Sequence, residues 1–347
     1  MTSLVVIYET GRCNHDFLSL EDPMDIHTQW QCGRFESSTP TLIGVTTTSH
    51  CNLRCQHCYW EHDIKERSQH EWDNAIKRID TWGAETVFAG RILSPPGVTF
   101  IRRFHKLTGK RVHLIDNGQD GLVLKQLDLL DRIDQISISI DGEPEAHDAQ
   151  RNKQGSFQEA WKTVLALKDM GRDPVVSCAI SHLQLPSWKR FEERLADHDV
   201  PLSVALYQMS EAPRRRGELP MLEEQSVTNH IHSVMFDEDA IPKIVNLYDV
   251  GYMEALAPSL STLAWEPLVG GAAGWVAEAS QNSVKIVLRL PSIQSVSEQA
   301  LLWDGKFYDN AWLTDLSPRE LYDPVQAAKK ATVMAQDERR RLPWLMK

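Results

Sequence analysis

From Thr41 onward, short runs rich in β-branched and apolar residues alternate with longer stretches whose apolar positions recur every three to four residues. The runs are Leu42–Thr48, Glu85–Ala89, Arg111–Ile115, Gln135–Ile140, Pro174–Ser181 and Leu202–Tyr207. Amphipathic stretches between them include Gln69–Thr81, Leu122–Leu130, Ser156–Met170 and Ser187–Leu195. Six strands alternating with helices predict parallel βαβ units. Such units open into a wound sheet or curl towards a barrel, with the active site at the C-terminal ends of the strands.

Residues two apart on a strand share a face. In Ile136–Ile140 the isoleucines therefore lie on one face and Ser137 and Ser139 on the other. The same parity separates Ser177, Ala179 and Ser181 from Val176, Cys178 and Ile180, and Ser203, Ala205 and Tyr207 from Leu202, Val204 and Leu206. The large apolar set suits packing under helices. The small, polar set suits a lumen that holds ligand, unlike a closed barrel filled with branched side chains.

After about residue 235 the alternation fades, and residues 283–347 hold one strand-like run, Ser283–Leu290, and a polar helical tail. Gly270-Gly271-Ala272-Ala273-Gly274 follows no evident strand, which argues against a dinucleotide-binding loop. The pattern divides the chain into an N-terminal segment (1–40), a barrel-like α/β unit (41–235) and a C-terminal extension (236–347).

The 347 residues carry a formal net charge of −11, which makes a phosphate backbone a poor partner and excludes nucleic acid. The basic triplets at Arg214–Arg216 and Arg339–Arg341 lie beside carboxylates and read as solvated surface. No apolar run reaches membrane-spanning length and no signal peptide is evident, so a cytoplasmic protein without a membrane partner is expected. Three of the six cysteines fall within eight residues, a pattern of metal ligation more than of disulfides.

Those three are Cys51, Cys55 and Cys58, spaced C-x3-C-x2-C directly after the first strand. A [4Fe–4S] cube normally takes one thiolate per iron, so three thiolates leave one iron open to a chelating small molecule. Zinc held by the three thiolates with His50 or His57 is the competing reading.

The stretch resembles the signature of the radical S-adenosylmethionine superfamily, with His57 in the aromatic position that lies near the adenine. The resemblance implies a partial (β/α)6 TIM-like barrel, one [4Fe–4S] cluster on Cys51, Cys55 and Cys58, and S-adenosylmethionine as cofactor. Asn117-Gly118 resembles the turn after the third strand. Ser139-Ile140-Asp141-Gly142, His147-Asp148, Arg151 and Gly155-Ser156-Phe157 resemble the peptide- and sulfatase-maturing (SPASM/twitch) branch. There the serine and arginine contact the methionine carboxylate, which carries over to Ser139 and Arg151. Without the resemblance, Arg151 would read as a surface charge at a helix start.

The sequence departs from the family at two places. Ala89-Gly90-Arg91-Ile92 stands where the family has Gly-Gly-Glu-Pro. Arg91 cannot accept from an ammonium group, so the backbone at Ala89 and Gly90 is expected to hold it. The stretch Leu302–Asn310, with Leu313–Leu316 and Leu321-Tyr322, resembles the branch's C-terminal α+β extension, yet no cysteine follows Cys178. An extension without auxiliary clusters is therefore expected.

The resemblance implies an enzyme that forms a 5′-deoxyadenosyl radical and takes hydrogen from a substrate C–H bond, with electrons from a flavodoxin- or ferredoxin-like reductant. The branch implies a peptide substrate, as in ribosomal natural-product maturation. A small molecule such as an amino acid or antibiotic intermediate is the alternative, and a zinc-binding protein without activity a weaker one. Tyr207, on the lumen side of the sixth strand, is a candidate acid–base or radical-relay residue, or lines the pocket. Met209 and Glu211 could line the pocket too. Cys178 faces the helices by parity and reads as a buried structural thiol. Cys13 and Cys32 read as free thiols.

Overall fold

The computed structural model describes residues 42–58, 72–84, 86–90, 92–206, 224–236, 241–248, 250–267, 274–279, 284–290, 298–302, 305–309 and 324–346. Tyr207, Arg91, Met209, Glu211, Cys13, Cys32 and the glycines at 270 and 271 lie outside these residues.

The six expected strands form in order. They are β1 (Leu42–Val45), β2 (Thr86–Ala89), β3 (Val112–Asp116), β4 (Ile133–Ser139), β5 (Val175–Ile180) and β6 (Leu202–Leu206). Each pairs in parallel with the next. The helices α1 (Trp72–Trp82), α2 (Pro95–Thr108), α3 (Pro144–Arg151), α4 (Ser156–Asp169) and α5 (Trp188–Asp197) lie between them. Ile43, Leu114, Ile138, Val176, Cys178 and Val204 share one buried core with Ile76, Ile101, Val164 and Phe191 of these helices. Cys178 is thus a buried thiol on the helix-packed side.

Local chemistry explains the helix ends. Pro95 and Pro96 occupy the first turn of α2, where a missing N–H costs nothing, and the Ser94 hydroxyl accepts from the Gly97 N–H. The helix stops at Gly109, in the left-handed region. Helix α4 has no cap on its own strand of sequence. The Asp148 carboxylate of α3 reaches across to accept from the Gly155 and Phe157 N–H groups and the Ser156 hydroxyl at 2.6–2.9 Å. An anion at a helix N-terminus satisfies orphan donors and the dipole together.

Two expectations need correction. Leu122–Leu130 does not form an amphipathic α-helix: a turn precedes a 3-10 helix at Leu127–Arg132. Asp120 and Gly121 both take positive φ, which no helix tolerates, so the chain enters the segment already turned.

The β/α alternation does fade after residue 235, but the described part of 283–347 holds three strands rather than one. Helix α6 (Glu224–Phe236) leads to β7 (Lys243–Leu247), followed by α7 (Val250–Ala255) and α8 (Ala257–Leu260). Then come β8 (Glu266–Pro267), β9 (Trp275–Ala279), β10 (Val284–Leu288), β11 (Glu298–Leu301), β12 (Phe307–Asp309) and α9 (Pro324–Arg341). The twelve strands of the described residues join one sheet in the order β12-β11-β1-β2-β3-β4-β5-β6-β7-β10-β9-β8. The nine strands from β11 to β10 are parallel, β12 and β9 run antiparallel to them on the two flanks, and β8 pairs antiparallel with β9. The sheet is open, an α/β array of partial-barrel type.

The run at Ser283–Leu290 forms β10, and the other late strands escape notice because they are short and carry polar residues. Lys243 opens β7 and is fully buried, which is tolerable because it pairs with Glu192 of α5 beside Trp188. Among the described residues no helix is long and apolar enough to cross a membrane.

Candidate functional site

The register of β4 to β7 aligns the small residues expected on the lumen face. Ser139 lies opposite Ser177 and Ser177 opposite Ser203. One layer towards the C-terminal ends, Ala179 meets Ala205, and Ala205 meets Asn246. Ser139, Ser177, Ala179 and Ala205 are only half-buried, whereas their neighbours Ile138, Val176, Cys178 and Val204 are buried. Parity thus separates the two faces at these positions, although Ser137 and Ser203 on the same face as Ser139 and Ser177 are buried.

The three clustered cysteines follow β1 at the same end of the sheet. Cys55 is buried, and Cys51 and Cys58 are half-buried; none forms a disulfide. Buried Leu53 anchors the loop between them. Arg54 folds back so that Nη1 donates to the Cys51 and Leu53 carbonyls at 2.7 and 3.0 Å. The Cys58 N–H donates to the Cys55 carbonyl, closing a turn around Gln56 and His57.

The loop is fastened on two sides. On one, Asn117 donates from Nδ2 to Asn52 Oδ1 at 2.6 Å and points the same nitrogen at Cys51 Sγ, 3.8 Å away. Asn117 is placed by a tight turn: Asp116 accepts from the Leu93 and Gly118 N–H groups, and Gly118 takes a φ of +71° against Ala160 and Ile138. Burial pushes the Asp116 carboxyl up to about 6 despite these two bonds. On the other side, the Gln56 N–H donates to the Gln150 carbonyl at the end of α3. Arg151 directs Nη1 at Cys55 Sγ, 3.9 Å away.

Arg151 is no surface charge. It lies in the last turn of α3, and its Nε pairs with Asp141 Oδ2 at 2.5 Å. Asp141 follows β4 directly. Its Oδ1 accepts from the Ala179 N–H, and its own N–H donates to His147 Nδ1, both at 2.9 Å. Burial would raise this carboxyl, but the Arg151 guanidinium, the His57 and His147 rings and the Ala179 N–H together outweigh it and hold it at about 2. Burial and the Arg151 cation lower His147 to about 4, so its ring is neutral and accepts through Nδ1. Burial likewise lowers His57 to about 4. The Cys55 thiol is raised to about 11 by burial, only partly countered by Arg151.

Sequence reasoning passed over Gln150 and Gln184, which together with Ser181 tie α3 to β5. Gln150 donates to the Ala179 carbonyl and accepts from the Ser181 hydroxyl and Gln184 Nε2. Gln184 also donates to the Asp141 carbonyl. Gly142, at a φ of +93°, lets this side chain pass where a Cβ would lie 2.9 Å from Gln184 Cγ. The Ser139 hydroxyl and the Ala89–Gly90 backbone reach the same end of the sheet, with the Gly90 N–H bound to the Val45 carbonyl.

The donor chemistry accommodates an iron–sulfur cluster. Two side-chain N–H donors, one of them cationic, aim at two of the three sulfurs, which is the environment a thiolate requires. Among the described residues, no three His, Cys, Asp or Glu side chains converge tightly enough for a single metal ion.

Comparison with known proteins agrees with this geometry. Residues 45–194 match the family model of the Radical SAM superfamily. The antilisterial bacteriocin subtilosin biosynthesis protein AlbA of Bacillus subtilis (strain 168) is 28% identical over 174 residues, covering 46% of this chain and 37% of the relative. The sporulation killing factor maturation protein SkfB of the same organism is 25% identical over 159 residues, covering 43% and 38%. The chain thus matches under two-fifths of the length of either relative. Among solved structures, Streptococcus suis SuiB bound to precursor peptide SuiA superposes with a TM-score of 0.57 at 11% identity, covering 85% of this chain and 64% of that one. SuiB bound to S-adenosylmethionine superposes at 0.55 and 10% identity, covering 78% and 60%. The thiol-bearing loop after β1 and the parallel sheet that supports it fall within residues 45–194, the part of this chain that is similar to the Radical SAM superfamily.

Proposed function

We propose that the chain is a radical SAM enzyme that modifies a peptide, with Cys51, Cys55 and Cys58 holding one [4Fe–4S] cluster. The observation that carries this reading is the loop itself: three thiols at the C-terminal end of β1, with Asn117 and Arg151 donors aimed at two of them. When bound, the cluster and S-adenosylmethionine supply a 5′-deoxyadenosyl radical that takes hydrogen from a substrate C–H bond.

The chain's own residues position and enclose. Asn117 and Arg151 stabilise thiolates in a buried setting where a bare thiol would stay protonated. Arg151 spends Nε on Asp141 and Nη1 on Cys55, which leaves Nη2 for the methionine carboxylate beside Ser139. The backbone at Ala89–Gly90 would receive the ammonium group, and His57 would lie near the adenine. The half-buried row Ser139, Ser177, Ala179 and Ala205 leaves space over the sheet for a substrate side chain.

A peptide substrate is favoured by the relatives. AlbA and SkfB are named for bacteriocin biosynthesis and killing-factor maturation, and SuiB is seen with a precursor peptide. Electrons would come from a flavodoxin- or ferredoxin-like carrier.

Anaerobic reconstitution with iron and sulfide tests the ligand set. The wild type should take up about four irons per chain and the Cys51→Ala, Cys55→Ala, Cys58→Ala triple variant almost none. Stoichiometric zinc without iron would overturn the cluster. About eight irons would instead overturn an extension free of auxiliary clusters.

A further inference from the structure

Asp141 and Arg151 form an ion pair with a defined orientation relative to the cysteine loop. The guanidinium lies on the loop side, its Nη1 3.9 Å from Cys55 Sγ, and the carboxylate lies behind it against Nε. The side chains are 10% and 0% exposed, so solvent screens neither strongly. Nor can the pair readily turn. The Ala179 N–H and His147 Nδ1 fix Asp141, and α3 fixes Arg151 through the bond from the Gln56 N–H to the Gln150 carbonyl.

We infer that this pair is a fixed dipole that sets the reduction potential of the cluster, with Arg151 raising it and Asp141 lowering it. The inference rests on the cluster reading above. Adding one electron makes the cluster and its thiolates more negative by one charge. A cation against Cys55 favours that state, and an N–H directed at a ligand sulfur acts in the same sense. The carboxylate, farther from the sulfur, opposes this more weakly. The wild-type potential is therefore the balance of two unequal and opposite contributions. A residue that only supported the fold would give no such signature.

The test is an anaerobic redox titration of the reconstituted full chain without S-adenosylmethionine, followed by electron paramagnetic resonance. Arg151→Gln should move the midpoint to a more negative value, and Asp141→Asn to a more positive one. Arg151→Lys, which keeps the charge but not the fork, should fall between wild type and Arg151→Gln. Should the uncharged variants fail to fold, wild type labelled with nitrogen-15 at the arginine guanidinium supplies the second readout. Pulsed resonance on the reduced cluster should then show a nitrogen-15 coupling that Arg151→Lys abolishes. Unchanged midpoints, shifts of the same sign in both uncharged variants, or no such coupling in wild type would overturn the inference. A wild type that assembles no cluster would overturn the cluster reading, and the inference with it.

Discussion

Replacing Gly118 with alanine perturbs the turn that places Asn117 beside Cys51. Gly118 has a φ of +71°, and a Cβ there would lie 2.8 Å from Ala160 Cα and 2.9 Å from Ile138 Cγ2. Neither neighbour can yield easily: one is the backbone of α4 and the other the fully buried branch of a β4 isoleucine. Gly109 is a natural control. Its φ is +70°, but its Cβ would meet nothing within 4 Å. The left-handed backbone costs an alanine about 1–2 kcal/mol at either site, lessened by about 0.4–1 kcal/mol through the stiffer unfolded chain. Crowding should add about 1–3 kcal/mol at 118 alone. Urea unfolding of the metal-free chain, followed by circular dichroism and tryptophan fluorescence, measures the difference between the two variants. Gly118→Ala should be less stable than Gly109→Ala by at least about 1 kcal/mol. Equal loss in the two variants would refute the close approach of α4 to this turn.

Asp116 should leave a pH signature. Its folded pKa of about 6 lies above the ordinary carboxylate value, so the folded state holds the proton more tightly. The stability it confers is present below about pH 4 and is lost as pH rises through about 6. Asp116→Asn should flatten the stability slope over that window, measured by urea midpoints at several pH values; an unchanged slope would contradict the assignment. Gln150→Ala would leave the Ser181 hydroxyl, Gln184 Nε2 and the Ala179 carbonyl without a shared partner. A loss of about 2–4 kcal/mol in urea unfolding is expected, and a change under about 1 kcal/mol would show that the network is dispensable.

The parts of the molecule legible in sequence are those where one residue's chemistry or one strand's parity decides the outcome. Alternation of Ile136, Ile138 and Ile140 with Ser137 and Ser139 revealed which face of β4 is packed, and the cysteine spacing revealed the loop. What stayed hidden depends on partners distant in sequence. Lys243 reads as a solvent residue until Glu192 is seen beside it, which is why β7 went unnoticed. Asp148 caps a helix that begins eight residues later, and Gln150 gains its meaning from Ser181 and Gln184 on the other side of β5. Resemblance drew attention to Arg151, but only the structure shows its guanidinium divided between Asp141 and Cys55.

The most direct measurement of the central claim is product analysis of the reconstituted chain after anaerobic reduction in the presence of S-adenosylmethionine. The wild type should form 5′-deoxyadenosine and methionine in equal amounts, slowly without the true substrate, and the triple cysteine variant should form neither. Methylthioadenosine in their place, or the same products from the triple variant, would contradict that claim.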